Sequence, residues 1–248
     1  MTTIITGFSP KGHGEYGQKF LDTFDRFWPK DVALQCYVEQ EIPMPREAYR
    51  SLWDCKGVRE FIRRHATNAR HCGREEFERW RPKDRGKAYA YRWDAVKFCR
   101  QLFIPEQAAR ELPDGEVMAW LDGDVMSFAK VPPQFIEGML GDSDLCYLGR
   151  TKFHSEIGFW AVRLNEQTRR FLKQLAEIYR TDEVFGLWEW HSAYVWDHLR
   201  ERSSLNCKNL TPRGYSHVWA QSPLMRYTDH LKGDVRKKMG RSIERPAR

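Results

Sequence analysis

An apolar run, Val117-Met118-Ala119-Trp120-Leu121, stops at Asp122-Gly123-Asp124 and resumes as Val125-Met126. Two carboxylates spaced i, i+2 at the end of a buried-type strand can turn toward one hard cation, and Gly123 lets the backbone pass close to a phosphate. The chemistry this points to is a divalent metal holding a nucleoside diphosphate. A solvated turn after a strand is the other use of such a sequence, so the surrounding elements must decide. A second group lies near the C-terminus, Tyr227-Thr228-Asp229-His230-Leu231-Lys232-Gly233-Asp234-Val235-Arg236-Lys237, with an imidazole, a glycine and several cations.

Between these two groups stand further candidates. Trp188-Glu189-Trp190-His191 combines an acid, an imidazole and aromatic faces suited to stacking on a sugar or a base, and Asp197 follows one helical stretch later. Glu156-Ile157-Gly158 places a carboxylate and a glycine at the start of a strand; an ordinary strand start is the alternative. The six cysteines are scattered without a Cys-x-x-Cys pair, as in a reduced, cytosolic chain. His65 with His71-Cys72 offers only half of a zinc site.

The elements that must position these groups can be read from periodicity. Residues 3–8 form an apolar strand, 9–14 a loop, and Tyr16, Phe20, Phe24, Phe27 and Trp28 recur at helical spacing until Pro29. A strand over 32–38 completes a strand-helix-strand unit, the opening of a nucleotide-binding α/β sheet with its ligand at the carboxyl ends of the strands. No G-x-G-x-x-G or P-loop lysine pattern exists, so neither dinucleotide nor ATP binding of the familiar kinds is supported. Residues 41–86, rich in Arg, Glu and Trp, read as a basic helical insertion over the site. Tyr91, Ala95, Phe98, Cys99, Leu102 and Phe103 mark one amphipathic helix, with Arg92 and Lys97 off its apolar stripe. A helix from Pro132-Pro133, strands over 144–148 and 157–164, a helix through Phe171 to Tyr179, a break at Gly186 and a helix over 191–199 complete the order, and about 236–248 read as a basic tail.

The 248 residues fit a single domain. No stretch approaches a membrane span and the first residues do not resemble an export signal, so a soluble protein of the cytoplasm is expected. The net charge of +7 is uneven. Residues 56–87 hold eleven Lys or Arg against five acids, and 226–248 hold eight against three. Such concentration suits a polyanion or an anionic donor; solvated helix faces are the alternative.

On the Asp-x-Asp after a central strand and the C-terminal histidine, the chain resembles glycosyltransferases of the A-type (GT-A) fold. In glycogenin-like members His is followed by Gly three residues on and Lys six residues on. His230 and Gly233 match, while Arg236 stands at the lysine position with Lys237 after it. The resemblance implies one domain over 1–248 with a single Rossmann-like mixed sheet flanked by helices. It implies Mn²⁺ or Mg²⁺ on Asp122, Asp124 and His230, and a nucleotide-sugar donor, UDP-linked first among them. Donor contacts would come from Thr6, Gly7 and Phe8, from Tyr37 and Glu39, from Gly123, Glu156 and Gly158, and from Gly233, Arg236 and Lys237; Arg92 and Lys97, on the helix before the Asp pair, are either further phosphate contacts or ordinary solvent-facing charge. If the enzyme inverts the anomeric centre, Glu189 is the expected base, with His191 or Asp197 as substitutes, and Trp188 and Trp190 would hold the acceptor. Related chains often carry Asp after this histidine, where Ser192 stands here. The basic segments suggest a nucleic-acid acceptor, such as a hydroxymethylated base in phage-type DNA modification. A saccharide or lipid-linked acceptor of surface polysaccharide synthesis is the alternative, and a non-catalytic nucleic-acid-binding protein or a nucleotidyltransferase would be a different class.

Overall fold

The computed structural model describes residues 1–45 and 47–242. β1 (Thr2–Phe8) leads into α1 (Pro10–Gly12), a π-helical turn over His13–Gly17 and α2 (Gln18–Phe27). The loop expected over 9–14 is therefore helical. Ser9 Oγ accepts from Gly12 N–H at 3.1 Å, and Pro10 occupies the first helical position, where it has no N–H to lose.

β2 (Ala33–Val38) and β3 (Tyr49–Ser51) follow, then α3 (Val58–His65), α4 (Ala95–Phe98), α5 (Arg100–Glu111) and β4 (Val117–Leu121). The segment read as an overlying insertion thus enters the sheet, because β3 pairs in parallel with β2. The single helix expected from Tyr91 is divided. Asp94 Oδ1 accepts from Lys97 N–H at 2.8 Å and starts α4 anew after a 3-10 turn over Tyr91–Trp93.

After β4 come β5 (Val125–Ser127), α6 (Phe135–Leu140), β6 (Leu145–Leu148), β7 (Glu156–Arg163), α7 (Glu166–Arg180), α8 (Ser192–Arg200), β8 (Cys207–Asn209), β9 (Thr228–His230) and α9 (Asp234–Met239). α6 begins later than Pro132-Pro133 predicts; consecutive prolines hold the preceding backbone extended, and Gln134 turns left-handed at φ 57° before the helix starts. Part of the expected C-terminal tail, 243–248, lies outside the described residues.

The main sheet has the order β3-β2-β1-β4-β7-β6-β8, with β7 antiparallel to β4 and β6 and the other pairings parallel. Each face has its own core. Met118 and Trp120 of β4 join α3, α5, α7 and α8 on one face, while Val117, Ala119 and Leu121 join α2 and α6 on the other. Because β7 runs against β4, its first residue and the last residue of β4 share one edge, as the pairing of Leu121 with Phe159 records. A separate ribbon of β5 and β9 pairs Val125 with His230. Among the described residues no helix is long and apolar enough to cross a membrane.

Candidate metal and donor site

Sheet and ribbon together join chain segments more than a hundred residues apart. Asp122 N–H donates to Gly158 O at 2.9 Å, tying the end of β4 to β7, and Leu231 N–H donates to Asp124 O at 3.0 Å, tying β9 to the same turn. As a result His230 Nε2 lies 3.0 Å from Asp124 Oδ1 and 3.6 Å from Asp122 Oδ2. Cis ligands on a small octahedral cation stand about 3 Å apart, so this donor set suits one divalent ion.

Neighbours fix these side chains. Asp122 Oδ1 accepts from Trp120 Nε1 at 2.7 Å and Gln101 Nε2 at 3.2 Å, which leaves Oδ2 for the histidine side. The Trp219 ring packs 4.9 Å from the His230 ring. A Cβ at Gly158 would lie 2.7 Å from His230 Cε1 and 3.2 Å from Asp122 Oδ2, and one at Gly123 would meet Phe8 at 2.4 Å. Both glycines are therefore required by close approach.

Burial and the neighbouring Asp124 push the Asp122 carboxyl up to about 6. Burial also works against ionisation of Asp124, but His230 and Lys237 outweigh it and hold that carboxyl well below its usual range. His230 is raised: burial opposes the imidazolium, and Asp124, Glu156 and Asp122 overcome it. Lys237 Nζ stands 3.2 Å from Asp124 Oδ2 and over the Tyr16 ring. The cation beside the acidic pair is thus Lys237, whereas Arg236 Nη1 donates to Lys232 O at 3.3 Å. Gly233, at φ 82°, turns the chain into α9.

A cleft of about 570 Å³ opens along the carboxyl ends of β1 and β2, lined by Gly7, Phe8, Tyr37, Glu39, Lys97 and Arg74 among others. The expected Gly7, Phe8, Tyr37, Glu39 and Lys97 meet there, although Tyr37 is 1 % exposed and Glu39 pairs with Arg100 at 2.8 Å. Thr6 is wholly buried beneath the cleft. Arg92 is elsewhere, its Nη1 3.0 Å from Asp84 and its Nε 3.5 Å from Glu189, because the 3-10 turn aims it away from the Asp pair. Glu156 sits between the regions. Burial alone would raise its carboxyl, but Lys232 at 2.6 Å, His230 and Arg150 bring it down to about 2.

Glu189 is fully buried and accepts from Arg81, from His191 Nε2 at 2.8 Å and from His154 Nε2 at 3.2 Å. Asp197 accepts from Ser155 N–H at 2.7 Å and Ser155 Oγ at 2.6 Å. Trp188 is 56 % exposed, but Trp190 is 1 % exposed and stacks on Phe77 at 5.2 Å. Trp190 is a core side chain with no face left for an acceptor. Sequence reading passed over Gln101, Tyr16 and His154. Gln101 and Tyr16 fall on helices without any motif, while His154 lies two residues before Glu156, which was the one available signal. Gln101 accepts from Ser192 Oγ and so links Asp122 to the residue after His191.

No protein-family model matches the chain, and no curated protein matches it either. Among solved structures it is similar to a glycosyltransferase involved in the glycosylation of the major capsid of PBCV-1, at 14 % identity and a TM-score of 0.51, over 96 % of this chain and 98 % of that one. A likeness at this identity establishes architecture: the protein is an α/β chain with a seven-stranded mixed sheet flanked by helices, of the GT-A-like fold.

Proposed function

We propose that the protein is a metal-dependent glycosyltransferase that moves a sugar from a nucleoside diphosphate, UDP first among them, to a hydroxyl acceptor. The observation that carries this is the convergence of Asp122, Asp124 and His230 beside a nucleotide-sized cleft at the carboxyl ends of the strands. Mn²⁺ or Mg²⁺ held by these three residues would neutralise charge on the departing diphosphate, and the imidazole in the set favours Mn²⁺. Lys237 adds a fixed positive charge next to Asp124, and Lys97 and Arg74 bring two more to the cleft. Gln101 and Trp120 hold Asp122 in place, so the site needs little reorganisation on loading.

A saccharide hydroxyl is the acceptor the surface supports best, because exposed rings of Trp188, Phe153 and Tyr215 suit stacking against sugar faces. A hydroxymethylated base in DNA is the second reading, favoured by the exposed cations Lys238 and Arg241 of the C-terminal segment. The test is calorimetric binding of UDP and the other nucleoside diphosphates to wild type and Asp124→Ala, each with Mn²⁺ and with EDTA. Binding that needs both the metal and Asp124 is the expected result. Binding of no nucleotide under any of these conditions would remove the reading.

A further inference from the structure

The most plausible base by sequence, Glu189, cannot touch an acceptor, since none of its surface is exposed. Its oxygens are also engaged: Oε1 by Arg81 and, at 3.5 Å, by Arg92 Nε, and Oε2 by His191 and His154. His191 is no better placed, being buried between the rings of Tyr91 and Phe98. His154 is the member of the cluster that reaches the surface, with 31 % of its side chain exposed. The groups facing it are Glu189 and His191 before α8, Tyr194 and Asp197 on α8, and Arg150, which donates to the His154 carbonyl at 2.6 Å.

We propose that His154 is the base that takes the proton of the acceptor hydroxyl, with Glu189 as its positioning residue, and that transfer therefore inverts the anomeric centre. A neutral imidazole that donates from Nε2 to Glu189 keeps its lone pair on Nδ1. Nδ1 lies 3.9 Å from Asp197 Oδ2, beyond hydrogen-bond reach, and Asp197 is already held by Ser155 and by Arg200 at 3.0 Å. In the step, the acceptor oxygen forms a bond to the anomeric carbon while the bond from that carbon to the phosphate oxygen breaks. The bonding pair leaves with the diphosphate, and the acceptor proton passes to Nδ1. The imidazolium so formed is balanced by buried Glu189, whose own carboxyl is held well below its usual range: burial opposes this, but His154, His191 and Arg81 prevail.

Two chains of contacts run from this dyad to the proposed donor site. Arg150 reaches Glu156 at 3.5 Å, beside His230, and Ser192 binds Gln101, which binds Asp122. The three groups His154, Glu189 and His191 also have the spacing of metal ligands, but two guanidiniums on the same carboxylate oppose a further cation.

This inference rests on the glycosyl-transfer reading, and its test separates the two. UDP binding with Mn²⁺ should be the same in wild type, His154→Gln and Glu189→Gln; loss in wild type itself would sink the donor reading and leave the dyad to be judged by spectroscopy. Long-range ¹H–¹⁵N spectra of the histidine rings, with His154 assigned by its absence in His154→Gln, should show its proton on Nε2 in wild type and a redistribution in Glu189→Gln. A proton on Nδ1 would overturn the proposal. UDP release from UDP-glucose with water as acceptor should fall on the order of 100-fold in His154→Gln, lose the limb that rises with pH, and yield the inverted anomer in wild type. An unchanged pH profile, or retention, would equally overturn it.

Discussion

At the scale of single residues, the candidate metal site is a set of groups whose proton affinities are already set against one another. Asp122 and His230 are both raised and Asp124 is lowered. A cation entering the site must displace protons from the first two, while Asp124 is ionised beforehand. Mn²⁺ affinity should therefore climb as pH rises through the Asp122 and His230 titrations, by about tenfold per pH unit for each proton displaced. Calorimetry in two buffers of different ionisation enthalpy reads this directly as proton release; binding independent of both buffer and pH would contradict the assignment. Gly158→Ala tests the same site sterically. Its Cβ would lie 2.7 Å from His230 Cε1, and since Trp219 holds that ring from another side, the histidine must leave its position. We expect Mn²⁺ affinity about 10–100-fold lower with an unchanged circular dichroism spectrum. That the Asp pair and His230 come together was legible in sequence only from the two motifs jointly, since a strand ending in two acids, or a lone histidine, each has other common uses. His154, Gln101 and Tyr16 were not, since their importance comes from where an antiparallel strand and two helices deliver them.

At the scale of elements, the long apolar strands and amphipathic helices follow their periodicity, and the departures have local causes. Side-chain caps decide several of them: Ser9 converts an expected loop into helix, and Asp94 divides an expected single helix. Strands of three residues such as β8 (Cys-Lys-Asn) and β9 (Thr-Asp-His) are too short and too polar to alternate, yet β9 is what carries His230 to the Asp122–Asp124 pair. Short functional strands of this kind draw their stability from the framework. α7 is part of that framework, begun by a reciprocal capping box in which Asn165 Oδ1 accepts from Thr168 N–H and Thr168 Oγ1 accepts from Asn165 N–H, each at 2.9 Å. Asn165→Ala should cost about 1 kcal/mol, lowering Tm by about 2–4 °C in a chain of this size. UDP and Mn²⁺ binding should be unaffected, because α7 packs on the sheet face away from the ribbon. A parallel loss of binding would mean that the site and the framework unfold together.

At the scale of the whole molecule, the question is what the uneven charge recognises. The sequence gives residues 56–87 a surplus of six positive charges, enough to suggest a track for a polyanion. In the fold much of that charge stays at the surface but is committed to pairs with acids and carbonyls. Arg63 and Arg64 pair with Glu60, Arg64 also with Asp182, Arg70 with Glu78, Arg81 with Glu189 and Lys87 with Asp84, while Arg79 donates to the carbonyls of Phe185 and Leu187. Arg59 lies over the Trp53 ring. Arg64, Arg79 and Arg81 tie the segment to the body of the protein, and Arg81 helps to hold the buried Glu189 in its ionised form; the paired cations cannot also replace counterions along a duplex without breaking those pairs. Each phosphate contact adds about 0.9 to the slope of log affinity against log salt. A segment using all of its surplus charge would give a slope of about 5, whereas exposed Lys56, Lys83 and Arg85 alone would give about 3 or less. Fluorescence anisotropy of a hydroxymethylated duplex between low and moderate salt measures this slope. A shallow slope with weak binding would turn the search for the acceptor to saccharides, and a steep one would show that the internal pairs open for DNA and restore the nucleic-acid acceptor to first place.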